Sequence, residues 1–291
     1  MLFTYHPMSP KATKKYNKRN PAFAPNLGHP IHNEPAFIIE DGTNSEGNIL
    51  ILADLHYGIE YTLEKAGARL PSQTERITGR IIKLCSKYDV SELILLGDIK
   101  HTVPMTSRQE WYELPRVFSQ LGEVVNAIEI IPGNHDGNLK KLIPPNLKNI
   151  QIHPHAGVVL HTIGLFHGHT WPAVEVLQCS QILMAHNHPN VLFVDKLGGR
   201  VSHSCWIRCR LDQEMIKNQY PELNSYDPEI IIMPAFNDLG SGTPVNSATP
   251  EFLGPLLKNK CIDLNSAQVY LLDGTDLGKL QELIDLSSTL K

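Results

Sequence analysis

The order of apolar and polar positions divides the chain into a front half with two periodicities and a back half with one. Residues 36–39, 49–52, 93–96 and 127–131 are short, nearly continuous apolar runs, the pattern of strands buried on both faces. Between the second and third runs, Ile77, Ile81, Leu84, Cys85 and Tyr88 recur at helical spacing. Ser72-Gln73-Thr74-Glu75 precedes that stripe and reads as a capping box. Residues 111–121 predict a further helix. Beyond residue 150 strands dominate, at 158–160, 163–166, 182–184, 191–194, 205–207, 230–233 and 269–272. Leu197-Gly198-Gly199 reads as a hairpin turn, and residues 251–260 and 277–290 as helices that close the domain. A β-α-β front and a mostly β back predict an α/β domain of two packed mixed sheets with helices outside.

Charge changes the picture only at the start. Lys11, Lys14, Lys15, Lys18 and Arg19 precede the first acid, Glu34, so residues 1–33 carry +5 and the remainder is acidic. That stretch is also proline-rich and lacks apolar periodicity, so it is expected to be a basic arm, with residues 34–291 forming one domain. A basic arm is suited to tracking the phosphates of a nucleic acid. No apolar run reaches the roughly 18–20 residues of a membrane helix, and the first ten residues lack a signal-peptide core. Five cysteines, an odd number in 291 residues, do not form a disulfide framework. The expectation is a cytoplasmic protein with no membrane contact. Fourteen histidines against those five cysteines favour oxygen- and nitrogen-ligand metal chemistry over thiolate zinc.

The candidate chemistry lies just past the carboxyl ends of five predicted strands, where open α/β sheets place their ligands. The clusters are Asp54-Leu55-His56, Gly97-Asp98, Gly133-Asn134-His135-Asp136, His167-Gly168-His169 and His186-Asn187-His188. Each alone is ordinary turn chemistry. Together they offer carboxylate, imidazole and amide donors without a thiolate, a set for Mn²⁺, Fe²⁺, Zn²⁺, Ni²⁺ or Co²⁺. Cys205 and Cys209 near His203 lack a second cysteine pair and read as strand residues rather than a zinc site.

The order Asp-x-His, Gly-Asp, Gly-Asn-His-Asp, His and His-x-His resembles the calcineurin-like metallophosphoesterase superfamily. Met233-Pro234-Ala235-Phe236-Asn237, Gly97-Asp98-Ile99-Lys100-His101 and His167-Gly168-His169-Thr170-Trp171-Pro172 are similar to its ICC-like archaeal branch. Bacterial relatives of that branch are associated with DNA ligase and helicase partners in the DNA damage response. The resemblance implies a metallophosphoesterase sandwich and two divalent ions, manganese favoured, with nickel, iron, zinc or cobalt as alternatives. Asp54, His56 and His188 would hold the first ion, and Asn134, His167 and His186 the second, with Asp98 bridging. It further implies phosphodiester hydrolysis by a metal-activated hydroxide, with nucleic acid or nucleotides as substrates. His135 would protonate the leaving group or stabilise the phosphoryl oxygens, and Asp136 would orient its imidazole. His101 and His169 would serve as supporting or substrate contacts. A phosphomonoesterase or pyrophosphatase on the same centre, and a non-catalytic scaffold on the same fold, are the alternatives. Ala185 stands where the family usually has glycine, which requires negative φ there.

Overall fold

A computed structural model describes residues 28–40, 47–195, 197–223, 227–240, 242 and 244–289. The basic cluster from Lys11 to Arg19 lies outside the described residues.

The first sheet has the order β1 (His29–Pro30), β2 (Ala36–Ile39), β3 (Asn48–Leu52), β4 (Val90–Leu96), β5 (Ala127–Ile131), β6 (Ile150–Ile152). β1 to β3 run antiparallel and β3 to β6 parallel, so the sheet is mixed. The parallel connections carry α1 (Ile59–Lys65), α2 (Thr74–Lys87) and α3 (Arg108–Val124). The second sheet contains β7 (Val158–Leu160), β8 (Ile163–Phe166), β9 (Gln181–Met184), β10 (Asn190–Val194), β11 (Arg200–Leu211), β12 (Glu229–Ile232), β13 (Ile262–Leu271) and β14 (Asp276–Lys279). Its order is β14-β13-β11-β12-β9-β8-β7, with β10 paired to the first half of β11. α4 (Val174–Leu177), α5 (Gln213–Gln219), α6 (Pro255–Lys258) and α7 (Leu280–Thr289) accompany it.

The two-residue period of a strand sorts the front apolar runs into two cores. Ile49, Ile51, Ile94, Leu96 and Ile131 meet Ile163, Leu165, Leu183, Trp206 and Ile231 between the sheets. The alternate residues Leu50, Leu52, Leu93, Leu95, Ile128 and Ile130 face Ile77, Ile81 and Leu84 of α2 and Leu114, Phe118 and Leu121 of α3. A third core packs Ile182, Met184, Ile207 and Ile230 against Leu177, Ile216, Leu256 and Leu280. Two packed mixed sheets flanked by helices are therefore what the continuous apolar runs predict.

Several boundaries differ from the expectation. His29 and Pro30, assigned to the arm, pair with Ile38 and Phe37, and Ile31 is buried. The capping box is at Ser107 and Glu110, opening α3, whereas α2 begins without a side-chain cap. Ser72 instead donates to Glu113 of α3 at 3.1 Å. Helix is confined to Pro255–Lys258 within the stretch 251–260, and residues 276–279 form a strand before α7.

Candidate metal centre

β3, β4 and β5 end side by side in the first sheet, and β8 and β9 do so in the second. Their exits bring all five polar clusters to one rim. The turns there are tight: Asp54, His56, Asp98, His186 and His188 have φ of 55°, 43°, 49°, 73° and 42°. Left-handed backbone costs a non-glycine residue roughly 1–2 kcal/mol, and such strain persists only where the surroundings over-determine it. Gly97 admits a close approach, because a Cβ there would lie 2.1 Å from the His167 ring. Ala185 keeps negative φ, which is why alanine is tolerated at that position.

Asp54 lies at the centre of the cluster and is fully buried. Its Oδ1 is 3.0 Å from His167 Nε2 and 3.2 Å from His188 Nε2, and His188 Nε2 is 3.2 Å from His56 Nε2. Asp98 presents Oδ2 to His167 Nε2 at 3.7 Å, His56 Nε2 at 3.8 Å and His135 Nε2 at 3.9 Å. Two donor groups result, Asp54 with His56 and His188, and Asp98 with His167 and His186, each with its ligand atoms within 4.8 Å of one another. His56, His101 and His135 form a third group of the same span.

Burial would raise the Asp54 carboxyl, but the charges and hydrogen bonds of His188 and His167 outweigh it and hold it well below the usual range. Those two imidazoles, although burial opposes their charge, are pushed up, His188 by Asp54 and His167 by Asp98 and Asp54. His56 is driven down by burial, with Asp54 opposing. Burial and then the neighbouring His167 take His186 down to about 3. Burial also lifts Asp98 to about 6, against His167 and with the charges of Asp54 and Asp136 adding.

Two outer imidazoles back the inner ones. His56 Nδ1 lies 3.2 Å from His101 Nδ1, and His167 Nδ1 lies 3.1 Å from His169 Nδ1. His101 is lowered to about 4 by burial and His135, and His169 to about 4 by burial and His167. Both outer rings are therefore neutral at pH 7, and each has one nitrogen lone pair to accept with. These contacts hold the Nδ1 side of both inner rings outward and turn both Nε2 atoms into the cluster. Asp54 thus favours positive charge on its neighbours, as it would favour a bound cation, and the donor set fits divalent ions.

Asp136 faces backbone amides. Its carboxylate accepts from the backbone N–H of Gly133 at 2.8 Å, Ile99 at 2.8 Å and Lys100 at 3.2 Å. It ties the β4 exit to the β5 exit, while the His101 carbonyl accepts from His135 Nδ1. Asn134 is exposed on its turn, and among the described residues it makes no hydrogen bond to the cluster. Glu110 was missed as a site residue. It is buried and accepts from the N–H of His101 at 2.9 Å and of Thr102 at 2.6 Å, fixing the loop that bears the His101 carbonyl. The signal was Ser107-x-x-Glu110, the true capping box.

Among curated proteins, none matches the sequence. Among solved structures, the chain is similar to Pseudomonas putida nuclease MPE, at 20% identity and a TM-score of 0.48, covering 84% of this chain and 97% of that one. It is also similar to YfcE, a phosphoesterase from E. coli, at 15% identity and a TM-score of 0.36, covering 79% and 97%. Residues 47–232, well over half of the chain and spanning every cluster on the rim, match the calcineurin-like phosphoesterase family. The order of the clusters, their convergence on one rim and this match agree, and the chain belongs to the calcineurin-like phosphoesterase family.

Proposed function

We propose that the protein is a dinuclear metal-dependent phosphodiesterase acting on nucleic acid or nucleotides. The observation that carries the reading is Asp98, a buried carboxylate directed at imidazoles of both donor groups, with His135 on its open side. Asp54, His56 and His188 would hold one ion, and His167 and His186 the other, with Asn134 swinging in from its turn and Asp98 shared. Such a pair supplies Lewis acidity to the phosphoryl oxygens and acidity to a bound water. His135 then stands where a departing alkoxide needs a proton, held by the His101 carbonyl. The thiolate-free donor set accommodates manganese, nickel, iron, zinc or cobalt, and manganese is the ion favoured by the family resemblance. All five cysteines are free thiols, which supports a reducing, cytoplasmic setting. Among the described residues no helix is long and apolar enough to cross a membrane.

Purified protein supplied with Mn²⁺ is expected to cleave an activated aryl phosphodiester and an oligonucleotide faster than matched phosphomonoesters or pyrophosphate. Preference for monoesters would move the assignment to a phosphomonoesterase. Absence of turnover together with fewer than one ion per chain would leave a scaffold. A separate expectation concerns the basic arm as part of the substrate path in DNA repair. Truncation of residues 1–27 should weaken oligonucleotide binding and flatten its salt dependence, since five cations contribute a log-log slope of roughly −0.7 each on single strands. Unchanged binding would remove the arm from the interface.

A further inference from the structure

After β12 the chain leaves the second sheet and crosses to the first. Met233 N–H donates to the Met184 carbonyl of β9 at 2.7 Å, and Phe236 N–H donates to the Ala53 carbonyl beyond β3 at 2.9 Å. Residues 233–237 therefore strap the sheet bearing His186 and His188 to the sheet bearing Asp54 and His56, at the rim where the donor groups meet.

Asn237 ends the strap and is 1% exposed. Its Nδ2 donates to the Leu55 carbonyl at 2.9 Å and to the His56 carbonyl at 3.4 Å. Its Oδ1 accepts from Leu239 N–H at 3.0 Å, and its own N–H donates to the Asp54 carbonyl at 3.4 Å. The three consecutive carbonyls of the Asp54–Leu55–His56 turn thus accept from one residue. Arg80 braces the strap from outside. It donates to the Phe236 carbonyl at 3.3 Å, holds its guanidinium 4.5 Å from the Phe236 ring centroid, and pairs with Glu34 at 2.6 Å.

We propose that Asn237 is a positioning residue chiefly for the first ion. The inference rests on the dinuclear reading above. Asp54 and His56 both hold left-handed backbone, which relaxes unless something outside the turn fixes it. Asn237 fixes it through the carbonyls, leaving the Asp54 carboxylate and His56 Nε2 free to converge. The Asp98, His167 and His186 backbones receive no hydrogen bond from it; the second group is reached only through Asp54, whose carboxylate meets His167 Nε2 at 3.0 Å and accepts from His186 N–H at 3.2 Å, so its loss acts first and most strongly on the side of the first ion. The residue must be a neutral amide. An aspartate would set oxygen against two carbonyl oxygens and place a second negative charge behind the Asp54 turn.

The test is calorimetric titration of metal-free wild type, Asn237→Ala and Asn237→Asp with Mn²⁺ alone, with electron paramagnetic resonance of the loaded samples. Wild type is expected to take two ions and give an exchange-coupled spectrum. In both variants one ion should keep its affinity to within a few-fold and the other should bind about 10–100-fold more weakly, the range for loss of a residue that orients a ligand. At two equivalents the variants would then give a mononuclear spectrum. Excess Mn²⁺ should restore both the coupled spectrum and diester turnover, which a merely misfolded protein would not regain. Equal weakening of both ions, or no change in either, overturns the proposal. Wild type that binds no pair overturns the dinuclear reading instead, so the two failures are distinguishable.

Discussion

Asp98→Asn is expected to lower phosphodiester turnover by at least about 10³-fold while making the metal-free protein more heat-stable. The loss follows from position. The carboxylate is 2% exposed, accepts from His135 N–H at 2.8 Å, and turns its other oxygen to imidazoles of both donor groups. An amide removes the shared negative charge, and each ~1.4 kcal/mol of lost transition-state stabilisation is a factor of ten in rate. The gain in stability comes from the same burial. Asp98 titrates at about 6 in the fold against 3.8 for an unperturbed group, so its charged form is disfavoured by folding. A carboxyl with a raised folded pKa contributes no penalty below its unfolded value. The penalty grows between those two pH values and is complete above the higher one. The substituted amide is neutral throughout and still offers an oxygen to His135 N–H. In chelator, the variant's melting temperature should exceed wild type's by a few degrees at pH 8 and converge with it near pH 4. With Mn²⁺ the order should reverse, because only wild type gains full stabilisation from the ions. Turnover within tenfold of wild type, or a lower melting temperature in chelator at pH 8, would contradict this role.

The parts of this molecule legible in its sequence are those where one physical demand dominates. β3 and β4 are buried on both faces, so residues 49–52 and 93–96 had to be continuously apolar. The polar clusters were legible because carboxylates and imidazoles immediately after such runs have no packing purpose. Less was visible where two demands overlap. The first five residues of β11, from Arg200 to Ser204, are exposed in a projecting hairpin with β10, and they carry the polar pattern of a loop. Leu277 resembles the start of a helical stripe, yet it lies in β14, at the irregularity in its pairing with β13, before α7 begins. Ser72-Gln73-Thr74-Glu75 has the residue types of a capping box, but Ser72 is drawn to Glu113 of another helix. Asp136 and His135 are neighbours in sequence, but on their tight turn the carboxylate accepts from backbone amides and the imidazole faces the His101 carbonyl. Asn237 was noticed as part of a motif, but its three carbonyl partners are about 180 residues away in the chain. Such long-range backbone bonds leave no periodicity to read.

His135→Ala is expected to reduce cleavage of an alkyl phosphodiester, such as an internucleotide bond, by about 10²–10⁴-fold, the usual contribution of a positioned acid. Cleavage of an activated aryl diester should fall by no more than about tenfold, because that leaving group departs without a proton. The geometry separates His135 from the imidazoles around it. Its side chain is 21% exposed, against 4% for His56 and 0% for His167, so substrate can reach it. A carbonyl can only accept, so the His101 oxygen keeps the proton on Nδ1 and leaves Nε2 as the atom that exchanges protons with substrate. The ring is also clamped, edge-on to His56 with centroids 5.0 Å apart and stacked on His101 at 5.4 Å. It therefore cannot swing away as the ester bond breaks. Elemental analysis of the variant should still return two ions, since neither proposed ligand set includes His135. Loss of an ion would instead assign it to the metal through the group it forms with His56 and His101. Equal losses on alkyl and aryl esters would make it a stabiliser of the phosphoryl oxygens rather than a proton donor. Full activity on both substrates would remove it from the chemistry and leave proton delivery to another group on the rim.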